Sequence, residues 1–238
     1  DIIPNNVINL ITLHGEPERI QELLNEVKDD ASGLGSLDFN KVIPMSESLN
    51  ISAGSRTNSA LKLYEDFIEV FTLGGTLNMD KLSNVPRQSE ETFLKLRSIP
   101  REDWELGKTA WNNLREYGAE TWYPWRVSNW GTKWNAYCCN MDFLEGNYAR
   151  LLFETAWSAP HPILEKLADT YPDVEFEHEW ADEDIGVNCG RYTYANGERV
   201  EEYFSESGRE AIEFACSLWR IDIDEYLKET TDEEITLT

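Results

Sequence analysis

The sequence lacks any long apolar run and any regular spacing of cysteines. No apolar stretch approaches the roughly 18–20 residues that a membrane-spanning helix requires, so we predict no membrane span. The first residues, DIIPNNVINL, lack the basic region and apolar core of a signal peptide, which favours a soluble protein of the cytoplasm. The four cysteines show no CxxC spacing, which predicts free, mostly buried thiols rather than a metal site or disulfides.

Signatures of catalysis and of metal binding are missing as well. The only histidines are His14, His161 and His178, and no HxH or HxxxH spacing brings two of them onto one face. Glu177 and Glu179 cannot join His178 in one site, because neighbours in a strand point to opposite faces. There is no GxSxG motif and no phosphate-binding glycine motif. We therefore predict no enzyme, no catalytic residue, no metal and no cofactor.

Two weaker chemical possibilities stay open. Asp182, Glu183 and Asp184 could hold a cation loosely, although three consecutive acids are more typical of a solvated turn. A small-molecule or enzymatic pocket could lie under the tryptophan-rich part of the chain. Glu154 beside Trp157 is then the first carboxylate to inspect.

Positive charge is scarce. The chain has 21 Lys plus Arg against 45 Asp plus Glu, and its net charge of −24 opposes direct contact with nucleic-acid phosphates. Residues 173–238 contain 20 acidic and 5 basic residues, a net charge of −15. This segment is either a solvated face that favours solubility or a surface that attracts a basic partner. The candidate partner-binding acids are Glu175, Glu177, Glu179, Asp182, Glu183, Asp184, Glu201, Glu202 and Glu206.

Apolar residues, in contrast, are plentiful. They make up 41% of the chain, with 12% aromatics, which predicts a packed core. Alternating apolar residues predict a first strand over 7–14, and helical spacing predicts a helix that Glu16 and Pro17 open. A second strand is predicted over 37–43. Residues 46–120 carry three helical patterns and are predicted to be a helical insertion.

The second half repeats the alternation of strand and helix. A strand over 151–156 is followed by a helix that ends before Pro172, and a strand over 174–180 alternates cleanly between apolar residues and glutamates. A hairpin turning at Asn196-Gly197 comes next, and an acidic helix over 207–226 closes the pattern.

This order predicts an α+β fold. Two β-α-β units in one antiparallel sheet form a ferredoxin-like (split β-α-β) arrangement, here with a helical insertion, an added β-hairpin and a C-terminal helix. The predicted domains are residues 1–45 with 121–238, which form the ferredoxin-like domain, and the insertion 46–120.

Several strings of the sequence resemble a known family. They are PNNVINLITLHG (4–15), FNKVIPM (39–45), NWGTKWNA (129–136) and FETAWSAPHPILEKLADTYPDVEFEHEW (153–180), followed by a hairpin with Gly190, Tyr192, Asn196 and Gly197. Together they resemble the YubB-type proteins. The resemblance implies a ferredoxin-like domain and an origin on plasmids, prophages or other mobile elements. It brings no catalytic residues with it.

Tryptophans are concentrated in the stretch 122–134, which also carries two bases. Ferredoxin-like sheets can stack single-stranded nucleic acid on aromatic residues, so this stretch is a candidate platform. The alternative is that the indoles fill the seam between the insertion and the sheet while the bases pair with acids. The candidate nucleic-acid-binding residues are Arg126, Trp130, Lys133 and Trp134.

We therefore expect a non-enzymatic, acidic binding protein of a mobile element. Its negative surface would engage a basic host protein, such as a nucleic-acid-binding effector of a CRISPR or restriction defence system, without binding DNA, RNA or membrane itself. The alternative function is a single-stranded nucleic-acid-binding module that uses the stretch 122–134.

Overall fold

The computed structural model describes residues 5–71, 87–205 and 208–236. Contacts divide the chain into two compact units, Asp1–Pro44 with Arg126–Thr238 and Met45–Trp125. These limits lie close to the predicted division at 46–120. No helix within the described ranges is long and apolar enough to cross a membrane.

The first unit is built on a six-stranded antiparallel sheet in the order β2-β3-β1-β4-β5-β6. The strands are β1 (Asn6–His14), β2 (Tyr137–Glu145), β3 (Tyr148–Ala156), β4 (Glu175–Asp182), β5 (Cys189–Ala195) and β6 (Glu198–Tyr203). Helix α1 (Pro17–Val27) follows β1, α2 (Phe39–Val42) is one short turn, and α7 (His161–Thr170) connects β3 to β4. The sequence β1-α1-β2-β3-α7-β4 with this strand order is ferredoxin-like, as predicted.

The predicted second strand, 37–43, is wrong. This segment forms α2, where the Asp38 carboxylate accepts a hydrogen bond from the Asn40 N–H at 3.0 Å. Phe39 is fully buried, with its ring edge-on to those of Trp130 and Phe153. The true second strand of the fold is β2, about a hundred residues later. The insertion therefore interrupts the first half of the fold rather than separating two complete halves.

The end of the described chain also differs from the prediction. The hairpin of β5 and β6 is present, with Asn196 and Gly197 at φ of 54° and 83° in its turn. The predicted single helix 207–226 is instead two helices, α8 (Gly208–Trp219) and α9 (Ile223–Thr236), and Ser207 lies outside the described residues. Arg220 at φ 57° ends α8, and the Asp222 carboxylate accepts the N–H groups that begin α9.

The two faces of the sheet have different partners. Consecutive residues of β1, from Val7 to Ile11, are all buried, because both faces of the sheet are covered along much of this strand. On one face lie residues such as Val7 and Ile11, next to the buried residues of β3 and β4 with which they pair in the sheet. On the other, which we call the outer face, α8 packs its apolar side over Ile8, Leu10 and Ala181.

The second unit is helical. It contains α3 (Ser55–Phe71), α4 (Arg87–Arg97), α5 (Arg101–Tyr117) and a 3-10 turn at Glu47–Leu49, and α6 (Trp122–Asn129) crosses the boundary between the units. Its core is a cluster of aromatic rings, with Trp104 in edge contact with Tyr64 and Phe67. The other buried members are Ile68, Phe93, Leu94 and Trp111.

Candidate functional site

The three glutamates of β4 lie in different environments. Glu175 is exposed, and its carboxylate lies 3.9 Å from His14 Nδ1. Glu177 is half-buried and lies 3.9 Å from the guanidinium of Arg191. Glu179 lies near α8, and burial, followed by the charge of Glu177, raises the pKa of its carboxyl. Glu175 is therefore the member of this row that a partner can reach most easily.

The acidic turn after β4 presents two acids rather than three. Asp182 is buried, at 7% exposure, and its carboxylate accepts hydrogen bonds from Asn5 Nδ2 at 3.2 Å and from the Asp184 N–H at 2.9 Å. The prediction of Asp182 as a partner-binding surface residue is corrected, because its carboxylate shapes the turn. Glu183 and Asp184 are exposed, and Glu183 accepts a hydrogen bond from Asn6 at 2.8 Å. Among the described residues, no group of three or more metal-ligating side chains could hold a metal ion.

Strand β6 forms one edge of the sheet and is exposed along most of its length. The predicted residues Glu201 and Glu202 are both exposed here, and Glu202 pairs with the Arg199 guanidinium at 3.0 Å. Glu198, which we did not single out from the sequence, is exposed on the same strand. Its signal was available, since it directly follows the Asn-Gly turn. Glu206 lies outside the described residues.

Two of the four candidate nucleic-acid-binding residues are structural. Trp130 is fully buried and donates from Nε1 to the Ile43 carbonyl at 2.9 Å, so its ring cannot stack on a base. The Arg126 guanidinium lies 4.9 Å from the centre of the Trp130 ring. Burial lowers the pKa of Arg126. Trp130 is therefore a core residue with Arg126 against its ring, and the predicted pairing of Arg126 with an acid stays a prediction.

The other two candidates are accessible and join a third residue. Trp134 and Trp157 are exposed at 38% and 36%, and the Lys133 ammonium lies 5.0 Å and 4.7 Å from the centres of their rings. We call Lys133, Trp134 and Trp157 the indole–lysine cluster. Sequence reasoning named all three but assigned Trp157 to a different hypothesis, because 23 residues separate it from Trp134 and only the fold brings them together.

The backbone at Trp157 is held in an unusual conformation. Its φ of 69° lies in the left-handed region, which is costly for a bulky side chain. Two hydrogen bonds hold it there, from the Trp157 N–H to the Asn5 carbonyl at 2.9 Å and from Asn188 Nδ2 to the Trp157 carbonyl at 3.2 Å. Asn188 itself has φ 43°. The surrounding chain therefore enforces the exposed position of this indole.

The same end of the sheet is electrically negative. The Tyr137 hydroxyl donates to Asn6 Oδ1 at 2.6 Å, and its ring lies 6.3 Å from that of Trp134. Burial, followed by the charges of Glu154 and others including Glu183, raises the pKa of Tyr137 to about 12. Glu154 is half-buried, opposite Tyr137 in the sheet register. Tyr137, whose ring contacts that of Trp134, is thus within electrostatic reach of at least two carboxylates.

A groove of about 370 Å³ lies between the loop after α1 and the start of β2. Its two carboxylates already accept hydrogen bonds, Asp29 from the backbone of Ala31 and Ser32 and Asp38 from Asn135 at 2.7 Å. Burial raises the pKa of the Cys139 thiol in the same groove, which favours the unreactive protonated form. The groove is therefore a weak candidate for catalysis or for recognising a charged ligand.

His161 and His178, two of the three histidines in the sequence, lie together inside the first unit. Their ring centres are 5.5 Å apart, and the His161 ring is edge-on to Trp180 at 4.5 Å. His178 Nε2 lies 3.0 Å from Asn9 Oδ1. Because the amide nitrogen of Asn9 donates elsewhere, to Thr155 Oγ1, its oxygen is the acceptor and His178 carries its proton on Nε2. The pair forms part of the packing.

These features define an α+β protein with a ferredoxin-like domain. Residues 133–222 match a family model described as the ferredoxin-like domain in Api92-like protein. Among solved structures, the chain is similar to the crystal structure of a protein api92 from Yersinia pseudotuberculosis. The identity is 12% and the TM-score 0.42, over 86% of this chain and 99% of that one. No curated protein matches the chain.

Proposed function

We propose that the protein is a binding protein that uses its acidic surface to engage a basic protein partner. The observation that carries this proposal is the exposure of β6, the edge strand, which presents Glu198, Glu201 and Glu202 to solvent. Among the described residues, neither Glu198 nor Glu201 forms an ion pair, so their charges are available to a partner. Glu175 and Glu183 extend the negative surface onto β4 and its turn.

The edge strand supports a specific contact with a protein partner, rather than attraction by net charge alone. An edge strand offers unpaired backbone groups, and acidic side chains on it repel other acidic chains while attracting basic ones. A net charge of −24 extends this attraction over the whole molecule and speeds the encounter with a basic surface.

The partner class we propose is a basic host protein that handles nucleic acid, including effectors of CRISPR or restriction defence. Such a protein carries a positive groove that an acidic surface can occupy in place of nucleic acid. The resemblance of the sequence to YubB-type proteins of mobile elements supports this class. Inhibition of a defence effector is part of the proposal.

The test is affinity capture from nuclease-treated lysate of the source organism, with elution by increasing salt. The wild-type protein should retain a basic protein that is released between roughly 0.1 and 0.5 M salt, as screening shortens the range of the attraction. Changing Glu198, Glu201 and Glu202 to Gln should reduce retention at least about tenfold.

The matched control removes the same charge from another surface. Glu16, Glu18 and Glu26 are exposed at or in α1, and changing all three to Gln should leave retention close to wild type. Equal loss in both triple variants, or a complex indifferent to salt, would contradict a specific acidic contact on β6.

The second candidate function is binding of single-stranded nucleic acid at the indole–lysine cluster. Two exposed indoles with an ammonium between them resemble the stacking platforms that bind bases and phosphates. A gel shift with 20-nucleotide single-stranded DNA and RNA at low salt tests this function. Binding that is lost in Trp134→Ala and weakened in Lys133→Gln would support it, and no shift at any tested concentration would exclude it.

A further inference from the structure

The indole–lysine cluster has the arrangement of an aromatic site for a cation. One ammonium group lies 4.7 Å from the centre of the Trp157 ring and 5.0 Å from that of Trp134, within the range of cation–π attraction to both. The indoles are more than a third exposed, so solvent and partners reach them. The cation that occupies this position is the chain's own Lys133.

The strained backbone of Trp157 indicates that the site is built rather than accidental. An indole buried in a core can compensate for an unfavourable φ by packing, but Trp157 stays exposed at φ 69°. Hydrogen bonds from the Trp157 N–H to Asn5 and from Asn188 to the Trp157 carbonyl hold the position from both sides. Strain that the surroundings enforce at an exposed aromatic residue is typical of binding sites.

The charges around the cluster favour a cation over an anion. Trp134 contacts Tyr137, whose hydroxyl is linked through Asn6 to the carboxylate of Glu183. Glu154 lies opposite Tyr137 in the sheet, and the exposed Asp184 follows Glu183. A phosphate would approach these carboxylates at a cost, whereas an ammonium or guanidinium group is attracted both to them and to the indole faces.

We propose that Trp134 and Trp157 form a receptor for an arginine or lysine side chain of the basic partner, and that Lys133 occupies this receptor until the partner displaces it. This inference rests on the proposed function, since it places one cationic side chain of that partner. It gives the complex a specific contact beyond the diffuse attraction of the acidic surface. Lys133 acts as an internal competitor that lowers affinity for weakly basic partners.

A cation receptor and a nucleic-acid platform respond in opposite ways to one substitution. If Lys133 competes with an incoming cation, Lys133→Gln vacates the site and tightens cation binding. If Lys133 contacts phosphate, the same substitution weakens binding of a single-stranded oligonucleotide. One variant therefore separates the two functions.

The test uses small probes with the full-length protein, so that it does not depend on the partner being known. N-acetyl-arginine amide is titrated while NMR follows the indole N–H signals, assigned with Trp134→Phe and Trp157→Phe. Lys133→Gln should bind this probe about three- to tenfold more tightly than wild type. In the double variant that combines Lys133→Gln with Trp134→Ala, the tighter binding of the arginine probe should be lost.

Two controls test whether binding depends on the positive charge of the probe and on the position of the substituted lysine. The uncharged N-acetyl-norleucine amide has a similar apolar stem and should shift the indole signals far less. Lys166→Gln removes an exposed lysine from α7 and should leave the affinity for the arginine probe unchanged.

The outcomes separate this inference from the proposed function. Equal affinity of wild type and Lys133→Gln for the arginine probe overturns the receptor, even if the lysate partner is still captured. Equal binding of the norleucine probe overturns it as well, and so does oligonucleotide binding that Lys133→Gln weakens. Tighter probe binding in Lys133→Gln supports the receptor, even if affinity capture finds no basic partner.

Discussion

Two histidines of the first unit make the folded protein sensitive to acid. His178 is fully buried, and its pKa is lowered by burial and then by the charge of His161. His161 is only partly buried, yet burial and then the nearby Arg199 lower its pKa from 6.5 to about 4. Both rings are packed as neutral imidazoles between aromatic residues, so a proton on either one places a charge inside the first unit.

The substitution His161→Phe keeps an aromatic ring at this position but removes the group that titrates. Between pH 6.5 and 4 the unfolded chain binds a proton at residue 161 that the folded chain does not, so the free energy of unfolding falls as the pH is lowered. Between pH 7 and pH 5 we expect the free energy of unfolding to fall by about 1 to 2 kcal/mol less in His161→Phe than in wild type. Urea titrations at the two pH values measure this difference, and identical pH slopes would contradict the assignment.

Asn135 links two segments that the sequence does not connect. Its Oδ1 accepts the Phe39 N–H at 2.8 Å and the Ala136 N–H at 3.0 Å, while Nδ2 donates to Asp38 at 2.7 Å. It thereby joins the start of α2 to the chain just before β2.

We predict that Asn135→Ala lowers the free energy of unfolding by about 2 kcal/mol, because it leaves partly buried groups without partners. Asn140→Ala, on the exposed side of β2, is the matched control and should change stability by less than about 0.5 kcal/mol. Urea unfolding followed by circular dichroism measures both, and equal effects would mean that the link is not important.

Helices α3 and α5 pack closely in the second unit because the residue of α5 at their contact, Gly107, has no side chain. A Cβ added at Gly107 would lie 2.1 Å from the Ala60 carbonyl oxygen, a backbone atom that cannot rotate away. The two helices would have to separate, and the aromatic cluster around Trp104 would lose contacts.

Gly107→Ala should therefore destabilise the protein by about 3 kcal/mol, despite the higher helix propensity of alanine. Hydrogen exchange should localise the loss of protection to α3 and α5. Gly208→Ala is the control, since among the described residues outside its own stretch of chain no atom lies within 4 Å of its added Cβ. An unchanged melting temperature in Gly107→Ala would refute the close packing of these helices.

The excess of acids along the chain opposes folding. With a net charge of −24, like charges are closer together in the folded protein than in the unfolded chain. The ion pairs present, such as Arg19 with Asp173 at 2.7 Å, engage only part of the acids.

Salt should therefore stabilise the protein. We predict that raising sodium chloride from about 0.05 to 0.5 M increases the melting temperature by several degrees, because screening weakens the long-range repulsion more than it weakens short ion pairs. In the variant with Glu198, Glu201 and Glu202 changed to Gln, the melting temperature should rise less with salt. A melting temperature that falls with salt would mean that ion pairs outweigh the repulsion.

Local patterns in the sequence were enough to predict the class of fold and the positions of its most regular elements. Strands β1, β3 and β4 and the turn at Asn196-Gly197 were predictable, because alternation and turn residues are local signals. The missed strand β2 has two register shifts and mixed exposure along its length, so no clean period marked it. The segment 37–43 had a strand-like composition, but capping by Asp38 and the burial of Phe39 made it a helix.

Which candidate residues share a surface depends on how the chain folds. Trp130 and Trp134 are four residues apart, yet one is fully buried and the other exposed. Asp182 and Glu183 are neighbours with the same contrast. Trp157 joins Lys133 because β3 ends beside the segment that leads into β2. Charge and residue type are properties of the chain, whereas exposure and proximity depend on contacts between residues far apart in sequence, which local patterns do not encode.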